Sequence, residues 1–177
     1  MIKAKTIPRE VKKIMAGHKD WLELFPLAVT LGPMKDRPLL VLQDKNKEFN
    51  LPVWLGSLDA TVAMVQANPN TLESTPHKTT LQILKSLNLE LTHCVFVDIV
   101  GHLQYVELCF KGTNGVQHVR CRADESMSLC LLARARFFCP QTLIRKARDL
   151  EWEKNEYQII SSIAPMDTPL SSKQYLN

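Results

Sequence analysis

Two consecutive runs of alternating residues carry most of the side chains that can do chemistry here. On the first, Tyr105, Glu107, Cys109 and Lys111 share one parity; on the second, His118, Arg120 and Arg122 do. In paired strands each set lines one face, because successive side chains point to opposite sides. Val106, Leu108, Phe110, Val119 and Cys121 have the other parity and are expected to point inward. Three basic groups and an aromatic ring on one sheet face can hold a nucleic-acid backbone and stack a base. The same face also reads as a solvated antiparallel sheet laced by cross-strand ion pairs, worth roughly a few tenths of a kcal/mol each. If Asn114-Gly115 forms a two-residue turn, Glu107 stands opposite Arg122; a four-residue loop sets it opposite Arg120 instead.

Phosphodiester hydrolysis needs an activated water, positive charge at the developing pentacovalent phosphorus, and usually one or two divalent metals. The sequence has no D-x-D and no H-x-H. Asp124 and Glu125 are adjacent, so on a helix they diverge by about 100°. Asp98, Glu107 and Lys111 lack the acid-x-Lys spacing of strand-borne nuclease sets. No GxSxG, Walker or GxGxxG motif occurs. His77, His93, His102 and His118 are scattered and read as surface or satisfied histidines. Five Cys at 94, 109, 121, 130 and 139 form no CxxC, which predicts free thiols in a reducing compartment, the cytoplasm.

The elements that must position these residues come from a chain of 177 residues, enough for one core without disulfides or a structural metal. Hydrophobic content of 45% and charged content of 23% exclude a wholly disordered chain. No apolar run approaches the ~20 residues needed to span a bilayer. The net charge of +4 is uneven: residues 1–20 carry +4 and residues 111–148 carry +6, with acidic stretches between and after. The second stretch can attract phosphate. Met1–Lys19 has lysines but no apolar run behind them, so it reads not as a secretory signal but as a short basic amphipathic helix, with Ile7, Val11, Ile14 and Met15 at helical spacing.

Leu22–Leu31 reads as a strand, in which Pro26 implies an edge or a bend. Leu39–Gln43 and Phe49–Leu55 read as a hairpin. A helix capped by Ser57 is expected from Leu58 to about Ala67, stopped by Asn68-Pro69-Asn70. A second helix is expected over Thr79–Leu87, with Leu81, Leu84, Lys85 and Leu87 on one buried stripe and Asn88 at its end. Cys94–Val100 reads as a strand broken at Gly101, and Leu103–Phe110 with Val116–Cys121 as the clearest hairpin. Asp124 is expected to cap a helix through Leu132, and Pro140 or Gln141 to open another to Leu150. Grouped strands with helices between the groups predict α+β, a mixed and largely antiparallel sheet with helices packed on it. The organisation expected is a basic segment 1–20, a domain 21–150 and a polar, partly loose tail 151–177.

Leu51-Pro52-Val53-Trp54-Leu55-Gly56 followed by Asp59-Ala60 resembles the opening signature of the bifunctional nuclease domain family, a strand end, two further residues, then Glu-Ala on a helix. Asp59 stands where that signature has Glu. Three later blocks resemble the family in order: Pro76–Leu87, Val95–Phe110 and Arg122–Ala135. Within them Thr75-Pro76-His77-Lys78-Thr79-Thr80-Leu81 keeps the Pro and the final Leu but has His77 two positions early. Arg122-Ala123-Asp124-Glu125 keeps the Arg, loses the Pro and places Glu125 where the family has Asp. The resemblance spans about Leu22–Arg148. It implies hydrolysis of DNA and RNA, with Asp59 and Glu125 as the acidic residues and Arg122 on the phosphate. Arg120, Lys78 and His118 are the further nucleic-acid contacts expected. A metal ligand set is not implied; Mg²⁺ or Mn²⁺ is the candidate class of cofactor. Self-association, as a dimer, and no membrane partner are expected. The alternative reading is a non-catalytic nucleic-acid-binding or regulatory module that kept the fold and lost the chemistry at Lys78, Thr79 and Thr80.

Overall fold

The computed structural model describes residues 9–17, 20–31, 38–56, 59–63, 75–112, 115–151 and 158–162. In chain order these form α1 (Arg9–Ile14), a 3₁₀ turn (Met15–Gly17), β1 (Trp21–Leu31), β2 (Pro38–Asp44), β3 (Asn50–Trp54), α2 (59–63), α3 (Pro76–Ser86), β4 (Glu90–Val100), β5 (Leu103–Gly112), β6 (Gly115–Arg122), a 3₁₀ turn (Ala123–Glu125), α4 (Met127–Ala133), β7 (Arg136–Pro140), α5 (Gln141–Glu151) and β8 (Gln158–Ser162). The strands make one sheet in the order β3-β2-β1-β7-β4-β5-β6, with β8 also on β1. Only β4 and β7 run parallel among these pairs; the rest are antiparallel. The expected α+β class, with its mixed and mostly antiparallel sheet, is what the molecule has.

Period-two alternation explains how this sheet is covered on both sides. In β4, Cys94 and Phe96 enter the main core, while Val95 and Val97 point to a second, smaller cluster. The main core joins Leu24, Leu40, Leu42, Val53, Val106 and Phe137 from the strands to Ala60 and Ala63 of α2, Met127 and Cys130 of α4, and Ile144 and Ala147 of α5. The second cluster is Val95 and Cys109 under Val11 of α1, flanked by Ile14, Met15 and Trp21. So the N-terminal apolar stripe has a defined seat. Trp21 pins it, donating its indole N–H to the Met15 carbonyl at 2.7 Å.

Of the two expectations for Pro26, an edge or a bend, the bend is what the strand has. Pro26 sits at a β-bulge in β1, whose other side pairs β7 at Trp21–Leu24 and β8 at Ala28–Leu31. Proline lacks the N–H a continuous ladder would need, and the gap between the two neighbours accommodates it. β8 was not anticipated: it adds a strand to β1 from within the stretch expected as a polar, partly loose tail. β7 was not anticipated. The helix before it ends at Arg134 in a left-handed conformation (φ 54°), a role glycine usually marks in a sequence.

Three more local expectations need revision. α3 begins at Pro76, a turn before Thr79, because proline's fixed φ and missing N–H suit the first helical position. None of its residues is fully buried, so the expected stripe is only half-buried, and Leu87 is exposed at 60%. Asn88 does end it, at φ 55°. Asp124 caps no helix; it lies inside the 3₁₀ turn and bonds Arg122. The Ser57 cap and the Asn68-Pro69-Asn70 stop lie outside the described residues, as does Ile7.

Candidate functional site

Asp59 is the first described residue of α2, and the Ala60 amide donates to the Gly56 carbonyl at 2.8 Å. Its carboxylate is turned inward and the residue is 7% exposed. Oδ2 accepts the Ser128 amide at 3.3 Å, and the Ser128 hydroxyl donates to the Asp59 carbonyl oxygen at 2.7 Å. Asp59 thus ties α2 to the first turn of α4, where unpaired amides favour a negative charge. On its other oxygen, His77 Nε2 of α3 stands 3.4 Å from Oδ1. Burial raises the Asp59 pKa above its usual 3.8, against the lowering pull of Ser128 and His77. Beside His77, the Thr75 hydroxyl at the mouth of α3 is buried without a hydrogen-bond partner.

Arg122 ends β6. Its Nε donates to Asp124 Oδ1 at 2.9 Å and its Nη2 to Oδ2, a two-pronged pairing, while Nη1 lies 3.6 Å from Glu125 Oε1. The Asp124 hydrogen bond and charge raise the Arg122 pKa, so the guanidinium is permanently charged. The Arg122 and Glu125 side chains keep 40% and 60% of their surface, whereas Asp124 keeps 14%. The Ser126 hydroxyl donates back to the Arg122 carbonyl at 3.1 Å, holding the turn.

The two groups hang from opposite ends of one short segment. Asp59 binds its far end at Ser128, and a β-carbon built on Gly56 would stand 3.8 Å from the Asp124 carbonyl oxygen near its start. Arg122 and Glu125 therefore meet as a pair. Asp59 lies beneath the same segment, bonded to Ser128 and His77 rather than to them.

The other expected contacts fall on the second sheet face. Glu107 pairs with Arg120 in register, and Gly112 pairs with Gly115 at the strand ends. This is the register expected for a four-residue loop. The carboxylate itself goes elsewhere: His118 Nδ1 is 2.8 Å from Glu107 Oε2. Arg120 reaches Asp98 at 3.3 Å and lies over the Tyr105 ring at 5.3 Å. His118, Arg120 and Arg122 thus each have an acidic neighbour. Cys109 and Val119 depart from the expected in-and-out pattern: Cys109 is fully buried beneath α1, and Val119, on the edge strand, is 53% exposed. Lys78, next to His77 on α3, is exposed.

His77 is the residue the sequence reading missed as part of a site. A signal was present in the Pro76–Leu87 block, but His77 stands two positions early there, which hides which helix face the ring takes. Among the described residues no three His, Cys, Asp or Glu side chains converge as a metal would require, so these groups by themselves form no metal cage. A shallow groove lined by Trp54, His102, Leu103, Gln104 and Asp124 opens beside Arg122.

Residues 40–150 match the family model described as Bifunctional nuclease domain, and the chain belongs to that family. A search of curated proteins gave no match. No helix among the described residues is long and apolar enough to cross a membrane.

Proposed function

We propose that this chain hydrolyses phosphodiester bonds of DNA and RNA. One observation carries the reading: an accessible guanidinium, Arg122, is locked by Asp124 with the exposed carboxylate of Glu125 3.6 Å away. A fixed guanidinium matches two phosphate oxygens and stabilises negative charge developing on them. Glu125 orients the attacking water beside that phosphate, and Asp59 supplies the second acidic group from below. Arg120, His118 and Lys78 supply the further contacts along the nucleic-acid strand. The family match supports nuclease chemistry as a class. All five cysteines are free, which supports a reducing compartment, the cytoplasm. Self-association belongs to the same reading and is measured by sedimentation velocity.

A second reading, a non-catalytic binding or regulatory module, is favoured by the pairing of the basic side chains with acids. Incubation with single-stranded RNA and DNA, with Mg²⁺ or Mn²⁺ and then with chelator, separates the two. Cleavage that disappears in Glu125→Ala supports the enzyme; salt-sensitive binding without cleavage supports the module. Arg122→Ala is expected to weaken oligonucleotide binding more than it lowers the melting temperature. If neither cleavage nor binding occurs at low salt, both readings fail.

A further inference from the structure

We infer that the groove beside Arg122 is a seat for a nucleobase, with Trp54 as the aromatic wall on which the base stacks. The inference rests on the nuclease reading above and names where a base next to the Arg122-bound phosphate goes. Three stretches far apart in the chain build the groove: Trp54 at the end of β3, His102, Leu103 and Gln104 at the turn from β4 into β5, and Asp124 in the second 3₁₀ turn. β3 and β5 are not neighbours in the sheet. The Gln104 side chain ties them together, its Nε2 donating to the Pro52 carbonyl at 2.8 Å. Gly101, at φ 58°, makes the turn that delivers His102 and Leu103. The groove is thus a built feature of the fold.

Asp124 belongs to the groove and to the phosphate contact at once: it lines the one and holds the Arg122 guanidinium with both carboxylate oxygens. A single residue therefore separates the two, and a strand whose phosphate meets Arg122 carries a neighbouring base to the groove. The lining has the mixed character that a base needs, with an indole and Leu103 for its flat apolar face and Gln104, His102 and Asp124 for its polar edge. Trp54 is half-buried and Leu103 is 38% exposed, so apolar surface remains for a ligand to cover. The enclosed volume is about 10 Å³, room for about one water, so a base lies across the groove and does not insert into it. Tyr105, the aromatic residue of the neighbouring hairpin, is less available, because the Arg120 guanidinium lies over its ring at 5.3 Å.

The test uses the full chain, a labelled single-stranded DNA oligonucleotide, and a strand of the same length whose sugars carry no bases. Fluorescence anisotropy at low salt, with chelator present, reads both affinities. The parent is expected to bind the base-bearing strand about fivefold or more tightly than the abasic one, since stacking on an aromatic side chain adds to the phosphate contacts. Trp54→Leu is expected to bring the two affinities within about twofold of each other while leaving the abasic strand's unchanged. Leu103→Asp, at an exposed turn, is expected to shrink the ratio in the same way, and decides the matter if Trp54→Leu fails to fold. Arg122→Ala is expected to weaken both strands alike and to leave the ratio standing. A parent that binds the two strands equally overturns the inference and leaves the nuclease reading in place. So does a ratio that survives in the folded groove variants, which would put the stacked base elsewhere. A parent that binds neither strand removes the nuclease reading and this inference with it.

Discussion

At the scale of single residues, Asp59 and His93 are opposite examples of burial acting on charge. Asp59 is held above its ordinary pKa chiefly by desolvation. A raised carboxylate pKa means that ionisation costs the folded state more than the unfolded one, so this group favours folding at acid pH and that advantage fades as pH rises through its folded pKa. Asp59→Asn keeps an acceptor for the Ser128 amide but cannot ionise. The melting temperature of Asp59→Asn relative to the parent is therefore expected to rise between pH 3.5 and pH 7; a difference that is flat or falls over that range would show that the carboxylate is not desolvated. His93 has the reverse sign. It is buried against Phe138 at 5.8 Å with Nδ1 on the Thr92 hydroxyl, and burial first, then Arg136, lowers its pKa. Burial disfavours its charged form, so its contribution is lost as pH falls from the ordinary histidine range through the lowered folded pKa.

Among the elements, α1 does the most for its length. It spans only six residues, yet it closes the second face of the sheet through Val11 over Val95 and Cys109. Its isolated helical propensity is negligible at that length, so its place depends on this contact and on Trp21 holding the turn behind it. Beneath it, burial first and the Glu107 charge second push the Cys109 thiol up to about 11. Val11→Asp is expected to lift α1 from the sheet without touching the main core. Cys109 should then react with an alkylating reagent at least about tenfold faster, since thiol reactivity follows exposure and thiolate fraction. Mass spectrometry of the labelled peptides decides it, and an unchanged rate would mean that α1 does not shield the thiol.

For the whole molecule, the division of labour between the two sheet faces governs how charge is used. One face carries the core and the α2–α4 junction; the other carries α1 and the paired acids and bases. Asp124 and Glu125 are already counted in the +6 of residues 111–148, and Asp98 and Glu23 from outside the stretch stand beside Arg120 and Arg136, so with Arg122 three of its eight basic residues are engaged by carboxylates. Oligonucleotide binding is accordingly expected to show a reduced salt dependence, with the logarithm of affinity falling against that of salt by a slope of about 4 or less, fewer phosphates than the eight basic residues there suggest. Fluorescence anisotropy across 50–200 mM salt measures it, roughly the range over which such slopes are read; a steep slope would mean that the acids are displaced on binding. The strands and hairpins were legible in the sequence because alternation and turn residues are local signals, as was the Leu51–Gly56 motif. β7 and β8 were not legible, since a short strand between helices and a polar strand near the end gain their order from neighbours distant in the chain. Asp59 and Glu125 could be named because their local blocks resemble the family's. Their separation could not: whether an acid is dry beneath a helix or wet on a turn depends on what packs over it, and only tertiary structure brings His77 and Ser128 to Asp59.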